Sequence, residues 1–352
     1  MVEPHVGLAP APARASRGRR ILVVFVAAYL AAVLLVWALL RFYADVWWPA
    51  TLLLYGPRWI CALPLVVLAP LAALRERRLL APLALATIVV VFPILGFNLA
   101  ALHANAARVS AEPTSTPARH LRLMTYNVGE DASDGADLFR LIDQIAPDIL
   151  AIQECSAIGR STKAQPGLRY NIAAYGDGCL MSRSRIERTE VQDPASIRAI
   201  GGTGTMIRYI VHLPEGDVQI VNLHLATVRE GLGAVLQHGL GGVPALKENI
   251  ATRWAMSAMG RAFVDATPQP FLVAGDFNLP SDSAIYRRHW ASLPSAFETA
   301  GNGFGTSKRT GWFGVRIDHI LLGPGWTCDR AFIGPHLNGD HRPLVADLTW
   351  SG

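Results

Sequence analysis

The run "ILVVFVAAYLAAVLLVWALL", Ile21 to Leu40, holds twenty residues without a charge. At about 1.5 Å per residue a helix of this length reaches about 30 Å, the thickness of a bilayer's hydrocarbon core. A helix that is apolar on every side does not suit the half-exposed surface of a soluble domain. Two further apolar stretches follow, from about Thr51 to Leu74 and from about Leu79 to Leu102, separated by "RERR", Arg75 to Arg78. So short a charged break joins two helices at one membrane face. The pattern predicts three transmembrane helices, and a chain that is 51% hydrophobic accords with that.

Basic residues set the orientation. Arg14, Arg17, Arg19 and Arg20 precede the first span, and Arg75, Arg77 and Arg78 lie between the second and third. Both segments are expected in the cytoplasm. The loop with Trp47, Trp48 and Pro49 then lies outside, its tryptophans at the interface. Arg58 falls inside the second stretch, so either it reaches the outer interface or that span starts later. An odd number of spans puts the rest of the chain outside the cytoplasm. The expected layout is a basic cytoplasmic N-terminus (1–20), a membrane region (21–102), a small, polar, proline-containing linker (103–119) and one domain (120–352). The expected location is the cell's inner membrane, multi-pass, with the domain extracytoplasmic.

The net charge of +5 belongs to the first part: residues 1–116 carry ten basic and four acidic residues, leaving 22 and 23 in the remainder. A broad polyanion-binding face on the domain is therefore not expected. The four cysteines, Cys61, Cys155, Cys179 and Cys328, fit no zinc spacing.

The domain alternates strand and helix patterns. "LRLMTYNVG" has period-two alternation and ends at Asn127 and Gly129. Leu138, Leu141, Ile142 and Ile145 recur at helical spacing before Pro147. "DILAIQEC" is a buried strand ending at Glu154, and "CLMSRSRI" reads as one further strand. "TMIRYIVHLP" and "VQIVNLHLA" form a hairpin with Gly216 in its turn. A helix covers about Glu248 to Val264, and "PFLVAGDFN", "VRIDHILLG" and "PLVADLTW" are three more strands. Strands outnumber helices, and hairpins mix with helical crossovers, which is α+β.

Eight polar residues stand at or beside the ends of these apolar runs: Asn127, Glu154, His224, Asp276, Asn278, Asp318, Asp340 and His341. One polar strand end is commonplace. Eight of them, all Asp, Asn, Glu or His, imply that several strand ends meet at one site.

The segments "MTYNVG", "DILAIQEC", "IVNLHLA", "VAGDFNLP", "RIDHILL" and "GDHRPLVADL" resemble, in order, the motifs of the endonuclease/exonuclease/phosphatase superfamily, also called deoxyribonuclease-I-like. They span Leu121 to Leu348, nearly all of the domain and none of the membrane part. The resemblance implies a four-layer α/β/β/α sandwich of two packed sheets, here preceded by about three transmembrane helices. It implies hydrolysis of a phosphate ester with Mg²⁺ or Mn²⁺. Glu154 would be the principal metal ligand, with Asn127 and Asp340 completing the site. His341, paired with Asp318, would act on the scissile phosphate, and Asp276 would orient and deprotonate the water. His224 would contact phosphate or help the leaving oxygen depart, and Asn278 would help hold water and phosphate. Arg183 follows a strand near the expected site and is a candidate substrate contact. His319 points to the other face from Asp318 and is read as structural.

Shared motifs report a reaction, not a substrate. The leading expectation is a membrane-anchored phosphodiesterase acting on a lipid or another extracytoplasmic phosphodiester, with the bilayer contacted through the N-terminal helices. The alternatives are an extracytoplasmic nuclease with nucleic acid as partner, and a catalytically inactive binding module of the same fold. No protein partner is evident. Specificity is expected in two inserts: Thr227 to Lys247, apolar and glycine-rich, and "RTGWFGVR", Arg309 to Arg316. An extracytoplasmic domain also permits a Cys155–Cys179 disulfide that leaves Cys328 out.

Overall fold

A computed structural model describes residues 17–101, 119–129, 136–156, 169–337 and 339–351 of the chain. The expected linker, apart from Arg119, and most of the basic N-terminus lie outside the described residues.

The apolar part begins with helix α1 (Arg17–Tyr43), then α2 (Trp48–Tyr55). A 3-10 turn at Arg58–Ala62 leads into α3 (Leu63–Arg75), and α4 (Leu80–Val89) comes next. Three segments, Arg17–Tyr43, Arg58–Arg75 and Arg77–Ile94, are long and apolar enough to cross a membrane. The second therefore starts at Arg58, not Thr51. Thr51 sits in the separate helix α2, which Gly56 and Pro57 divide from the Arg58–Arg75 segment. Arg58 is held at the start of that segment by an ion pair to Asp282, 2.5 Å away. Arg19 pairs with Glu76, so the start of α1 and the α3–α4 turn lie together at the end away from the domain.

The domain is a sandwich of two mixed sheets with helices outside. One sheet has six strands in the order β12 (Trp326–Ile333), β13 (Leu344–Trp350), β1 (Arg119–Asn127), β2 (Ile149–Gln153), β4 (Gly178–Ser182) and β3 (Asn171–Tyr175). The other has five: β11 (Asp318–Leu322), β8 (Phe271–Asp276), β7 (Gly216–His224), β6 (Thr205–Leu213) and β5 (Arg185–Val191). A separate hairpin pairs β9 (Lys308–Thr310) with β10 (Phe313–Val315). "CLMSRSRI" is thus two strands, β4 and β5, and the chain changes sheet between them. The remaining helices are α5 (Ala136–Ile145), α6 (Pro194–Ala199), α7 (Arg229–His238), α8 (Val243–Asp265), α9 (Ala284–His289) and α10 (Ala296–Ala300).

Period two accounts for the layers. Leu121 and Leu123, Ile149 and Ala151, Val218 and Ile220, Leu272 and Ala274, and Ile320 and Leu322 fill the gap between the sheets. Met124, Tyr126, Leu150 and Ile152 face the other way, onto Leu138 and Ile142 of α5. Val221, Leu223 and Val273 meet Met256 and Phe263 of α8. Cys155 and Cys179 form a disulfide at one end of the first sheet.

The domain also docks on the apolar helices. Asn98 bridges to Gly303. Trp48 and Leu52 of α2 join a cluster with Leu232 and Val235 of α7 and Leu246 and Ile250 of α8. At the centre of this junction Asp45, in the turn after α1, pairs with Arg253 of α8 at 2.7 Å, and both side chains are fully buried.

Candidate active site

The rows that line the gap between the sheets turn polar at one end. Leu121 and Leu123 run on to Asn127; Val218 and Ile220 run on to Asn222 and His224; Leu272 and Ala274 run on to Asp276. Antiparallel β11 enters the same end with Asp318, directly opposite Asp276 in register, and His224 lies opposite Asp276 on its other side. Gly275 makes this closeness attainable. A Cβ there would lie 1.9 Å from the Leu223 carbonyl oxygen, so only glycine lets β8 lie this tightly on β7.

Glu154 arrives by a different route. As the residue after Gln153 it should face away from the gap. It instead leaves β2 in the left-handed region, with φ 57°. That turn breaks the alternation and returns its carboxylate to the gap, where Asn127 Nδ2 donates to Glu154 Oε1 at 2.8 Å and to Asp276 Oδ2 at 3.1 Å. Asn278 also has a positive φ, 53°. Its backbone N–H donates to Asp276 Oδ1 at 2.8 Å, and its side-chain amide donates to the Leu225 carbonyl at 2.9 Å. Non-glycine residues in this region are uncommon and gather at functional sites.

Two histidines face each other across Asp276, each oriented by an acid. His341 Nδ1 lies 3.0 Å from Asp318 Oδ2, and its Nε2 lies 3.6 Å from Asp276 Oδ2. His224 Nδ1 lies 2.7 Å from Asp177 Oδ2, leaving its Nε2 at 3.8 Å from Glu154 and 4.0 Å from Asp276. Below them, Gln153 Nε2 donates to Asn222 Oδ1 at 2.7 Å and ties the two sheets together.

Charge is crowded here. Burial raises the Asp276 carboxyl above its usual range, and the Asp318 carboxylate adds to this against His341 and His224. Burial opposes ionisation of Asp318 as well, but the charge and hydrogen bond of His341 outweigh it, and its carboxyl is lowered. Burial pulls His341 down, yet Asp318 and Asp276 raise it overall. His224 is likewise disfavoured as a cation by burial, but Asp177, Asp276 and Glu154 lift it to about 9. Donor atoms of Asp276, Asp318 and His341 lie within 4.8 Å of one another and form a candidate metal group.

Asp340 sits at the mouth, its Oδ1 3.8 Å from His341 Nε2. Its other oxygen takes Lys308 Nζ at 2.5 Å and Arg229 Nη2 at 3.4 Å. Lys308 Nζ is also 3.0 Å from His341 Nε2. Lys308 immediately precedes the Arg309–Arg316 insert and Arg229 lies near the start of the Thr227–Lys247 insert, so the bases of both inserts reach the site.

Asn127, Glu154, His224, Asp276, Asn278, Asp318 and His341 therefore come together, with Asp340 at their edge. Arg183 does not. Ser182 pairs with Ile149 at the start of β2, whereas the site lies at the Gln153–Gly178 end. Arg183 stands at the opposite end of the sheet, beside Tyr170. Because β4 runs antiparallel to β2, every residue after Ser182 leads further from the site. His319 faces away as expected, its Nε2 2.8 Å from the Leu279 carbonyl. Asp177 is absent from the residues the sequence points to, although its place in the turn before Cys179 puts it at the Glu154 end. Nothing in the sequence marks Lys308.

Residues 124–341 match the family described as Endonuclease/Exonuclease/phosphatase. The chain belongs to this family. Humanized D. rerio TDP2 carrying 14 mutations superposes with a TM-score of 0.50 at 17% identity, over 65% of this chain and 98% of that one. At this identity the likeness concerns the fold alone. An endonuclease/exonuclease/phosphatase from Beutenbergia cavernae gives 0.48 at 15% identity, over 66% of this chain and 72% of its own. The human Nocturnin catalytic domain with bound sulfate gives 0.43 at 17% identity, over 66% and 95%. No curated protein matches the sequence. As an endonuclease/exonuclease/phosphatase member, the chain is a phosphoesterase with a buried Asp/His group suited to a metal.

Proposed function

We propose that the chain is a membrane-anchored phosphodiesterase that requires Mg²⁺ or Mn²⁺ and acts outside the cytoplasm. The observation that carries the reading is the meeting of the Asp318–His341 pair, Asp276, the Glu154–Asn127 contact and the Asp177–His224 pair at one end of both sheets. The donors suit a hard cation: they are carboxylates and an amide, and Asp276 is pressed against a second buried carboxylate. Glu154, Asp276 and Asn127 would hold the ion. When bound, it screens the anionic phosphate and stabilises charge that develops on its oxygens.

The chain's own groups divide the proton transfers. His341, fixed through Nδ1 by Asp318, stands where a water can lose its proton as it attacks phosphorus, and Asp276 orients that water. The phosphorus–oxygen bond to the leaving group then breaks. His224, cationic at neutral pH and oriented by Asp177, donates a proton to that oxygen. Asn278 holds Asp276 through its backbone.

The orientation rests on the basic residues. Arg17, Arg19, Arg20, Arg75, Arg77 and Arg78 lie at the end of the helices away from the domain, and the positive-inside rule assigns that end to the cytoplasm. Exposed apolar side chains of the domain favour a substrate at the bilayer surface. Leu236 is 87%, Leu240 77% and Trp312 76% exposed, and all three sit on the two inserts, Thr227–Lys247 and Arg309–Arg316.

The test uses full-length protein in detergent micelles and bis(p-nitrophenyl) phosphate. Hydrolysis should need Mg²⁺ or Mn²⁺ and fall by about 10³-fold or more in Glu154→Gln and His341→Ala. Full activity in either variant overturns the reading. Assays on phospholipid in mixed micelles, plasmid DNA and RNA then separate the lipid reading from the nuclease one.

A further inference from the structure

A second cavity, of about 370 Å³, lies outside the catalytic gap. Its floor is built by the domain-side ends of the second and third apolar segments, including Arg58, Trp59 and Leu95. Its wall is the hairpin, with Arg309 and Trp312, and Arg342 beside it. Trp59 and Trp312 face each other with ring centroids 5.5 Å apart.

One residue step along two segments separates this cavity from the active site. Lys308 bridges His341 across the sheet-like contact between β9 and residues 340–342, and their side chains meet in the catalytic gap. Arg309 and Arg342 are the next residues along each segment, and both line the cavity. The two sites adjoin along these segments.

Arg58 is compensated by Asp282. Arg342 donates through Nε to the Gly334 carbonyl, an uncharged partner, at 2.9 Å. Arg309 is near enough to oppose the charge of Arg342. Among the described residues, no carboxylate lines the cavity. Two guanidinium groups in one cavity that no carboxylate lines suit an anion, and a phosphate is one that guanidinium groups bind well. The height selects the source. The cavity opens where two apolar helices end and tryptophans gather, the level of lipid phosphates in a bilayer.

We propose that this cavity is a binding site for the phosphate headgroup of an anionic phospholipid, held by Arg309 and Arg342, with its acyl chains running down the apolar helices past Trp59 and Leu95. The inference rests on the helices being embedded in a bilayer and not on the reaction.

Full-length protein is purified in detergent, offered phosphatidylglycerol and phosphatidylcholine in equal amounts, and weighed intact by native mass spectrometry. Wild type should retain one phosphatidylglycerol with about tenfold preference. Glycerol 3-phosphate at millimolar concentration should not displace it. Arg309→Gln/Arg342→Gln should lose the preference, and Arg309→Lys/Arg342→Lys should keep part of it. If the double Gln variant does not accumulate, Arg309→Gln alone, at an exposed position, should reduce the preference several-fold. Equal retention of both lipids by wild type, displacement by glycerol 3-phosphate, or an unchanged preference in the Gln variants overturns the proposal. His341→Ala should bind the lipid as wild type does, which separates this site from the catalytic reading. Release of the chain from membranes by alkaline carbonate would instead refute the anchoring on which it depends.

Discussion

Arg253 of α8 reaches Asp45 of the turn after α1, and the pair is sealed from solvent where the apolar helices meet the catalytic sandwich. The same guanidinium donates to the Tyr55 hydroxyl and to the Asn278 carbonyl, and Ser283 Oγ donates to Asp45 Oδ2 at 2.6 Å. Asn278 in turn holds Asp276. The turn after α1 thus supports the loop beneath the active site. Breaking a buried ion pair from one side leaves an uncompensated charge and costs about 3–5 kcal/mol. Asp45→Asn should therefore destabilise the full chain by about that amount, measured by denaturant unfolding in micelles. Arg253→Met with Asp45→Leu should recover more than half, since apolar replacement of both partners removes the stranded charge. A domain fragment that begins at residue 117 lacks Asp45 and Tyr55 and should show the same loss. Equal stability of Asp45→Asn and wild type would count against this coupling.

Asp276 and Asp318 are buried side by side, and burial first, then that closeness, raises the Asp276 carboxyl. A divalent cation relieves the repulsion, so metal binding should stabilise the fold. At a Mg²⁺ concentration about 100 times the dissociation constant the gain is about 2.7 kcal/mol. Chelation should lower the melting temperature, and added Mg²⁺ should restore it. Asp276→Asn should lose this response, because the carboxylate that the cation relieves is gone, although the variant also gives up the acceptor for Asn127 Nδ2. A melting temperature indifferent to Mg²⁺ in wild type would reject the account.

Much of this arrangement is legible from period two. Once "RLMTYN", "VQIVNLH" and "FLVAGD" are read as strands buried on one face, Asn127, His224 and Asp276 fall on that face at its end. The motif order then joins Glu154, Asp318 and His341 to them. What the sequence conceals depends on backbone conformation or long-range contact. Glu154 reaches the gap only through a left-handed turn. Arg183 follows a strand, but which end of that strand meets the site is set by its antiparallel pairing with β2, a long-range contact that the sequence does not show. Thr51 to Leu74 reads as one apolar stretch, yet Gly56 and Pro57 end α2, and Arg58 is fixed by Asp282. Asp45 and Arg253 are 208 residues apart, and neither carries a local signal of its partner.

His319 supplies a pH dependence of known sign. It is fully buried, its Nδ1 has no partner among the described residues, and burial together with Arg316 lowers its pKa from 6.5 to about 3. The folded chain keeps this ring neutral, while the unfolded chain takes up a proton below about pH 6.5. Stability should therefore fall as pH drops through 6.5 and continue to fall towards 3. At pH 5 the loss from this residue is about 2 kcal/mol. His319→Gln can still donate to the Leu279 carbonyl and does not titrate. Its unfolding free energy should depend less on pH between 7 and 5, by about one proton at the lower end. An unchanged pH slope in that variant would show that His319 is charged in the fold.

Asp177 offers a separate test of the leaving-group side. Its carboxylate is disfavoured by burial, yet the hydrogen bond and charge of His224 lower its pKa, and it in turn lifts His224 to about 9. With Asp177→Asn, His224 keeps a hydrogen-bond acceptor but loses a negative charge at 2.7 Å from Nδ1. The imidazolium becomes a stronger acid and is less populated at neutral pH. The basic limb of the rate profile for bis(p-nitrophenyl) phosphate should move to lower pH, and the rate at pH 8 should fall about tenfold or more. A substrate with a better leaving group needs less protonation, so the deficit should shrink with bis(2,4-dinitrophenyl) phosphate. Asp318→Asn disturbs the attacking side and should slow both substrates alike. A deficit in Asp177→Asn that ignores the leaving group would assign His224 to holding phosphate and not to proton donation.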